Sequence, residues 1–579
     1  MLHKSRGTHP GTKDAVIAYE QRAVKVTVRM ARHTGRPRSG LARSAHLWPM
    51  LPVAWSTRIR DPRYAQVIAL VALWLIATTI NLTKSFHVDD PFHLAVAQWI
   101  LEEPLKPMSG MINWGGVEEP FHHGNHPPLF FYGMAAWGAV LGFSEVSMHA
   151  LLSLFTALAL VMFHRLARLF APRVALFATA LLALSPGFIV NQNVFLDIPL
   201  LSLILGSLYH ACCASMRKEG NHAVYSALFL SAAILTKYTA LAVVPAWLAM
   251  GWFVGRRTGW TVLIPVVVIG LWSFWNVREF GYVHLFHRGT GPPGADSLGI
   301  RALSWTLTLG SIAPGLFLLF VYRIRMSAVR RRAIAIGLLS VLVLFVVGAW
   351  TRLWDPEATE SALMAFFIVN GILGLGALIG PSDLPREPRA ILRIALGSIA
   401  VFTMLYAPWI ATRHLVLALP LVLLLTLHLL DRMSSPVRGA LIVVSGAIGI
   451  ALGISDRHFA GFYAEQAAAL STANSGHTTW YAGSFGWGWY AKAAGLRDIA
   501  EADSLPKPGD LIVVPMDFSS PSIPEAVHTR EVMILEQALG PLDAFSTRHW
   551  LRFYCARYPD PPWHLSHAEP ERLMVLVVE

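Results

Sequence analysis

Cysteine is nearly absent from this chain: three residues in 579, two of them the adjacent Cys212 and Cys213 inside an apolar run. Cys555 is then alone on its side of a membrane, so neither an intrachain disulfide nor a CxxC metal site is available. Charged residues are also scarce, at 14% against 54% apolar. That balance, with a positive mean hydropathy, belongs to a polytopic membrane protein. No cleavable signal pattern is present, because residues 1–62 are polar and basic with no apolar core before Val67; translocation is expected to begin with the first span itself. No internal repeat of fixed period is found.

The charge that is present is unevenly placed. The chain carries +12 overall, and residues 1–60 alone supply +10, whereas the part from Asp456 onward carries −6. A basic beginning and an acidic end separated by spans fit a cytoplasmic N-terminus and an exoplasmic C-terminus. Nucleic acid is therefore not needed to explain the positive charge. Three regions are expected: a disordered basic tail over 1–62, a transmembrane domain over 63–456 and a small exoplasmic α/β domain over 457–579.

A crossing needs about 20 apolar residues, and the runs number about thirteen, beginning with Tyr64–Thr83. Leu129–Phe143 is too short and reads as a juxtamembrane helix. Ala223–Val254 has basic residues at both ends and Lys237 in the middle, so it reads as two short spans with Lys237 at their outer turn, where an ammonium avoids the hydrocarbon. Val437–Ile454 is the last span. Beyond Asp456, helix-period segments (Ala464–Ala473, Glu525–Leu539) alternate with β-rich runs (Leu511–Pro515, Leu573–Glu579). The aromatic stretch WYAGSFGWGWYAKAAG is read as packing rather than as a sugar-stacking surface.

Polarity concentrates in the loop 84–128, which holds Asp89-Asp90, several histidines and an HPPL turn. Paired carboxylates at a membrane surface suit proton abstraction from a hydroxyl or binding of a cation. His87, His93, His122, His123 and His126 lie near carboxylates, but their spacing fits no compact metal motif. A divalent metal is possible there in principle; none is expected to be required.

Five pieces, VDDPFHLAVAQWIL, HPPLFFY, NVFLDIPL, LTKYTALAVVP and TRHLVLALP, occur in order between residue 88 and about 420. In that order they resemble the C-type glycosyltransferases of family 39, the protein O-mannosyltransferase and lipid A aminoarabinose transferase group. The chain departs from the group in carrying Asp90 where Glu is common and His414 where Tyr is common. The resemblance implies a helical polytopic fold with an exoplasmic α/β domain. It also implies an inverting transfer of a sugar from a polyprenyl-phosphate donor to a hydroxyl of a glycolipid, envelope polymer or protein, with no cofactor required. By position, Asp89 is the implied base, and Asp90 and Asp197 would orient acceptor or sugar. His126 of HPPL would contact substrate. Lys237, Arg413 and Arg288 are candidates to face the leaving phosphate, the alternative for each cation being an interfacial anchor. The rival class, a transporter or flippase, would usually bring inverted repeats and helices broken at matching points in two halves.

Overall fold

The computed structural model describes residues 62–114, 118–124, 126–287, 298–473, 478–502, 504–517, 523–548, 553–555, 560–565 and 570–579. The tail expected over 1–62 lies, up to residue 61, outside the described residues. From Arg60 to Glu579 the chain forms one compact unit. It is a multi-pass helical membrane protein with a small five-stranded sheet near its C-terminus.

Among the described residues, seven helices are long and apolar enough to cross a membrane, or eight if the bent pair Leu298–Ile312 and Phe317–Arg323 is one span. The expected count of about thirteen is not confirmed by this number, and several of the apolar runs it included are broken or short helices. Val174–Val190 splits at Ser185 and Pro186 into Ala175–Ala183 and Pro186–Val190. His414–Leu430 is interrupted around Pro420 into three short helices. The run Ala223–Val254 breaks at Lys237, the residue that closes the helix Gly220–Thr236 in extended conformation. Leu129–Leu141 is a helix of 13 residues.

Breaking a helix inside hydrocarbon leaves backbone groups that must find partners within the protein. At the 86° bend, Pro314 and Gly315 end the first helix. Asn370 fills the gap: its Oδ1 accepts from the Phe317 amide at 2.6 Å, and its Nδ2 donates to the Gly310 and Ala313 carbonyls at 2.6 and 2.8 Å. Leu298–Ile312 and Pro356–Ile379, the helix that carries Asn370, touch backbone to backbone. A Cβ on Gly310 would lie 1.9 Å from the Phe367 carbonyl oxygen, and one on Gly371 would lie 1.9 Å from that of Thr306, so only small residues permit the approach.

Asp197–Arg217 is the most enclosed span, 83% buried, against 22% for Thr258–Phe280 and for Ala328–Trp350, which lie at the periphery. The last helix, Ser435–Ala473, has 39 residues and is about 58 Å long at 1.5 Å per residue. That exceeds a hydrocarbon core of about 30 Å, so the helix projects well beyond it. The expected boundary at 456/457 therefore falls inside a continuous helix, and Ala464–Ala473 is its end rather than a separate element.

Phe462, Tyr463 and Ala467 on this extension pack against Tyr481, Trp487, Val513 and Leu573 of the sheet domain. The strands run in the order Arg497–Asp498, Thr479–Tyr481, Leu511–Pro515, Arg572–Val578, Thr529–Glu536. The first three are mutually parallel and the last two pairings antiparallel. Glu525–Leu539, expected as a helix, instead contains the strand Thr529–Glu536. Its backbone pairs with Arg572–Val578 over most of its length, and this non-local ladder overrides the helical period. Its exposed charged residues suit an edge strand. Trp480 and Trp487 of the aromatic stretch are fully buried.

Candidate active site

The loop between the first helix and Asp90–Glu102 is held by the C-terminal domain. The Phe86 amide donates to the Tyr490 hydroxyl at 2.8 Å, and that hydroxyl donates to Glu145 Oε1 at 2.7 Å. Val88 then takes φ +50°, a left-handed conformation that is strained for a β-branched residue. This turn sends its two neighbours to opposite sides.

On one side is Asp89, the N-cap of Asp90–Glu102, whose carboxylate makes no capping hydrogen bond. It reaches Arg413 Nη1 at 2.6 Å instead. Next to this pair stands another: Lys237 Nζ donates to Asp197 Oδ1 at 2.8 Å. Asp197 opens its helix and Lys237 closes the one that follows, so the carboxylate meets the positive end of a helix dipole and the ammonium a negative end. The pairs are close enough that Arg413 also attracts Asp197, and Lys237 attracts Asp89. Two acids and two bases thus form a neutral cluster.

Asp89, Lys237 and Arg413 line a cavity of about 270 Å³ together with His93, Trp114, Glu119, His123, His126, Tyr406, Trp409 and His414. Asp89 keeps 30% side-chain exposure toward it, while Arg413 keeps 9%. Burial by itself would raise the Asp89 carboxyl, but Arg413, with help from His93 and Lys237, outweighs it and holds the group below its ordinary value. Arg413 lies over the Phe195 ring, 5.0 Å from Cζ to centroid, and its buried Nε has no hydrogen-bond partner among the described residues. The guanidinium therefore has a donor to spare in a desolvated place.

On the other side of Val88 is a buried polar network. Asp90 is fully buried and does not line the cavity; its Oδ2 accepts from the His87 amide at 3.0 Å and faces His87 Nδ1 at 3.3 Å. The expectation that Asp90 orients acceptor or sugar is thus at odds with its position: its contacts hold the loop. Lys84 is paired with Asp456 inside the protein and donates to Asn193 Oδ1 at 2.6 Å. Asp456 also accepts from Tyr554 at 2.6 Å and from Thr547 at 2.5 Å.

Of the residues expected at the site, Asp89, Asp197, Lys237, Arg413 and His126 come together, Asp90 turns away, and Arg288 lies outside the described residues. The sequence reading named His93 only among the histidines near carboxylates; its Nδ1 donates to the Val194 carbonyl at 2.8 Å, and burial pushes its imidazole down from its ordinary value. One turn from Asp89 on the same helix, it was legible as an i, i+4 neighbour. That reading missed Lys84 and Asp456, each a charge at the end of an apolar run. His122 stacks on Phe280 at 4.1 Å. Among the described residues no group of three or more His, Cys, Asp or Glu is arranged to hold a metal ion.

Residues 125–276 match the family model described as dolichyl-phosphate-mannose-protein mannosyltransferase. The match contains three of the five sequence pieces, with Asp197 and Lys237, and leaves Asp89 and Arg413 outside. No curated protein sequence matches the chain. Among solved structures, the chain is similar to ArnT from Cupriavidus metallidurans bound to undecaprenyl phosphate, with 13% identity over 79% of this chain and 93% of that one and a TM-score of 0.48. It is also similar to the Archaeoglobus fulgidus oligosaccharyltransferase tethered with an acceptor peptide, with 12% identity over 76% and 64% of the two chains and a TM-score of 0.46. The Saccharomyces cerevisiae protein O-mannosyltransferase Pmt1–Pmt2 complex bound to the sugar donor matches with 16% identity over 43% and 38%, and a TM-score of 0.28.

Proposed function

We propose that the chain is an integral-membrane glycosyltransferase that moves a hexosyl or pentosyl group from a polyprenyl-phosphate donor to a hydroxyl acceptor, with inversion and without a cofactor. The acceptor is a glycolipid, an envelope polymer or a protein. The reaction takes place at the outer face of the plasma membrane, with the N-terminus cytoplasmic and the C-terminus outside.

The observation that carries this reading is the paired-charge cluster at the wall of the cavity. A lipid phosphate entering it competes with Asp89 for Arg413, whose unused Nε and fork geometry suit phosphate oxygens. As Arg413 turns to the phosphate, Asp89 is freed to accept a proton. The acceptor oxygen then attacks the anomeric carbon while its proton passes to the Asp89 carboxylate. The bond from that carbon to the phosphate oxygen breaks, and the electron pair leaves with the polyprenyl phosphate, whose charge Arg413 and Lys237 neutralise. A phosphate leaving group needs no general acid. His126, at the cavity wall, contacts substrate.

The test compares lipid-linked sugars and envelope glycans in cells with and without the protein. Loss of one glycan with accumulation of its lipid-linked sugar, restored by the parent chain and not by Asp89→Asn, is the expected result. Unchanged pools in both fractions would overturn the reading.

A further inference from the structure

A second polar cavity, of about 360 Å³, lies at the far end of the helix bundle. The helix Glu145–Phe170 touches Tyr490 of the C-terminal domain through Glu145 and reaches this cavity at Phe170, about 38 Å away at 1.5 Å per residue. The cavity is walled by three connections: the turn after Phe170, the segment 380–385 and the short helix Leu427–Asp431. It shares no residue with the cavity at Asp89, and nothing in the proposed transfer uses it.

Its polar groups are unfinished. Ser382 Oγ and both ring nitrogens of His428 are buried atoms with no hydrogen-bond partner among the described residues. Buried groups of this kind take a partner from ordered water or from a bound molecule. Asp431 already faces Arg438, at 3.8 Å. That leaves Arg173 and Asp383, which make no ion pair among the described residues, as one cation and one anion around the same space. Phe170, Leu384, Leu424 and Leu427 supply an apolar wall. The complement of this lining is a molecule with a phosphate, a primary ammonium a short distance away, and hydrocarbon attached.

We propose that this cavity binds the headgroup of a zwitterionic phospholipid of the phosphoethanolamine type, in the leaflet opposite the Asp89 cavity. Arg173 and the Ser382 hydroxyl take the phosphate, since a guanidinium and a hydroxyl both donate to it. Asp383 accepts from the ammonium, and His428, able to donate or accept, completes either partner. An arginine that merely anchors the protein at the interface would serve any headgroup; a built site distinguishes among them.

The experiment uses the full-length protein in mixed micelles with equimolar dioleoyl phosphatidylethanolamine, phosphatidylcholine and phosphatidylglycerol, with retained lipids counted by native mass spectrometry. Phosphatidylethanolamine should be retained in preference to both others, because choline cannot donate to Asp383 and phosphatidylglycerol offers it no cation. Arg173→Gln and Asp383→Asn, both at exposed positions, should each lower that retention roughly tenfold, the size of one charge-assisted hydrogen bond. Soluble O-phosphoethanolamine should compete, while inorganic phosphate should not. Equal retention of the three lipids would overturn the proposal. So would preference for phosphatidylglycerol, retention unaffected by either substitution, or competition by inorganic phosphate alone.

Discussion

Asp89 and Asp90 are adjacent in sequence and chemically alike, yet one meets the cavity and the other the interior. Asp89 is the N-cap of the following helix and Asp90 its first residue, and the start of that helix separates their side chains. Asp89→Asn keeps shape and packing and removes the proton acceptor, so turnover should fall by about two to four powers of ten, the usual weight of a general base. Expression and binding of polyprenyl phosphate should persist; near-parental turnover would remove Asp89 as the base. The pH profile carries a second expectation. Arg413 holds the Asp89 carboxyl below its ordinary value against the opposing effect of burial, so the base stays ionised, and activity is lost only as pH falls through that lowered value. In Arg413→Gln the main counterweight to burial is gone and only His93 and Lys237 still oppose it, so the carboxyl rises and the acidic limb of residual turnover should move to higher pH. A limb that stays in place would mean that a different group titrates.

At the scale of helices, the polar break is the recurring device. Lys237 sits where one helix ends, and Asn370 serves the bend after Ile312. Asn370→Leu conserves volume but orphans the Phe317 amide and the Gly310 carbonyl, while the Ala313 carbonyl keeps the Leu316 amide, at about 1–3 kcal/mol for each group left unpaired. Thermal unfolding in detergent should shift to distinctly lower temperature while polyprenyl-phosphate affinity of the folded fraction is unchanged. Parental unfolding would show that the broken backbone finds other partners. The last helix works differently, staying unbroken past Asp456 and carrying the sheet domain on its extension.

At the scale of the whole molecule, the C-terminal domain takes part in building the cavity. The Phe553 carbonyl accepts from the Thr412 amide and hydroxyl, at 3.2 and 2.8 Å, beside Arg413. Tyr554 and Thr547 meet Asp456, which is paired with Lys84 at the start of the Asp89 loop. Both ions of that pair are buried, at 0% and 3% exposure. Removing one partner leaves an uncompensated charge, so Asp456→Asn should destabilise by about 3–5 kcal/mol, whereas Lys84→Met with Asp456→Leu should destabilise far less. A double variant as unstable as the single one would mean that the hydrogen bonds of Asp456, rather than its charge, hold the interface. Topology is testable at this scale too. Reporter fusions at residue 325 should be cytoplasmic and at residue 500 external, and the reverse would place the Asp89 cavity on the wrong face for a lipid-linked donor used outside the cell.

Composition and periodicity determined that this is a helical membrane protein with a polar loop after the first span and a small mixed domain at the end, because burial of apolar surface and hydrogen bonding of backbone in lipid are local demands written into every stretch of chain. The strands Leu511–Pro515 and Arg572–Val578 were legible for that reason, as was the break at Lys237. Four of the charged residues that the structure brings together, Asp89, Asp197, Lys237 and Arg413, could be named from short motifs that resemble a known family. Which acid pairs with which base was not legible. Asp89 with Arg413 and Lys84 with Asp456 are more than 300 residues apart, and nothing local encodes such a meeting. Asp90 faces His87, three residues before it, through a local turn; only tertiary packing decided that Glu525–Leu539 would yield an edge strand and that the last helix would run on past Asp456. In these last two cases long-range partners offered more hydrogen bonds and burial than the local preference could match.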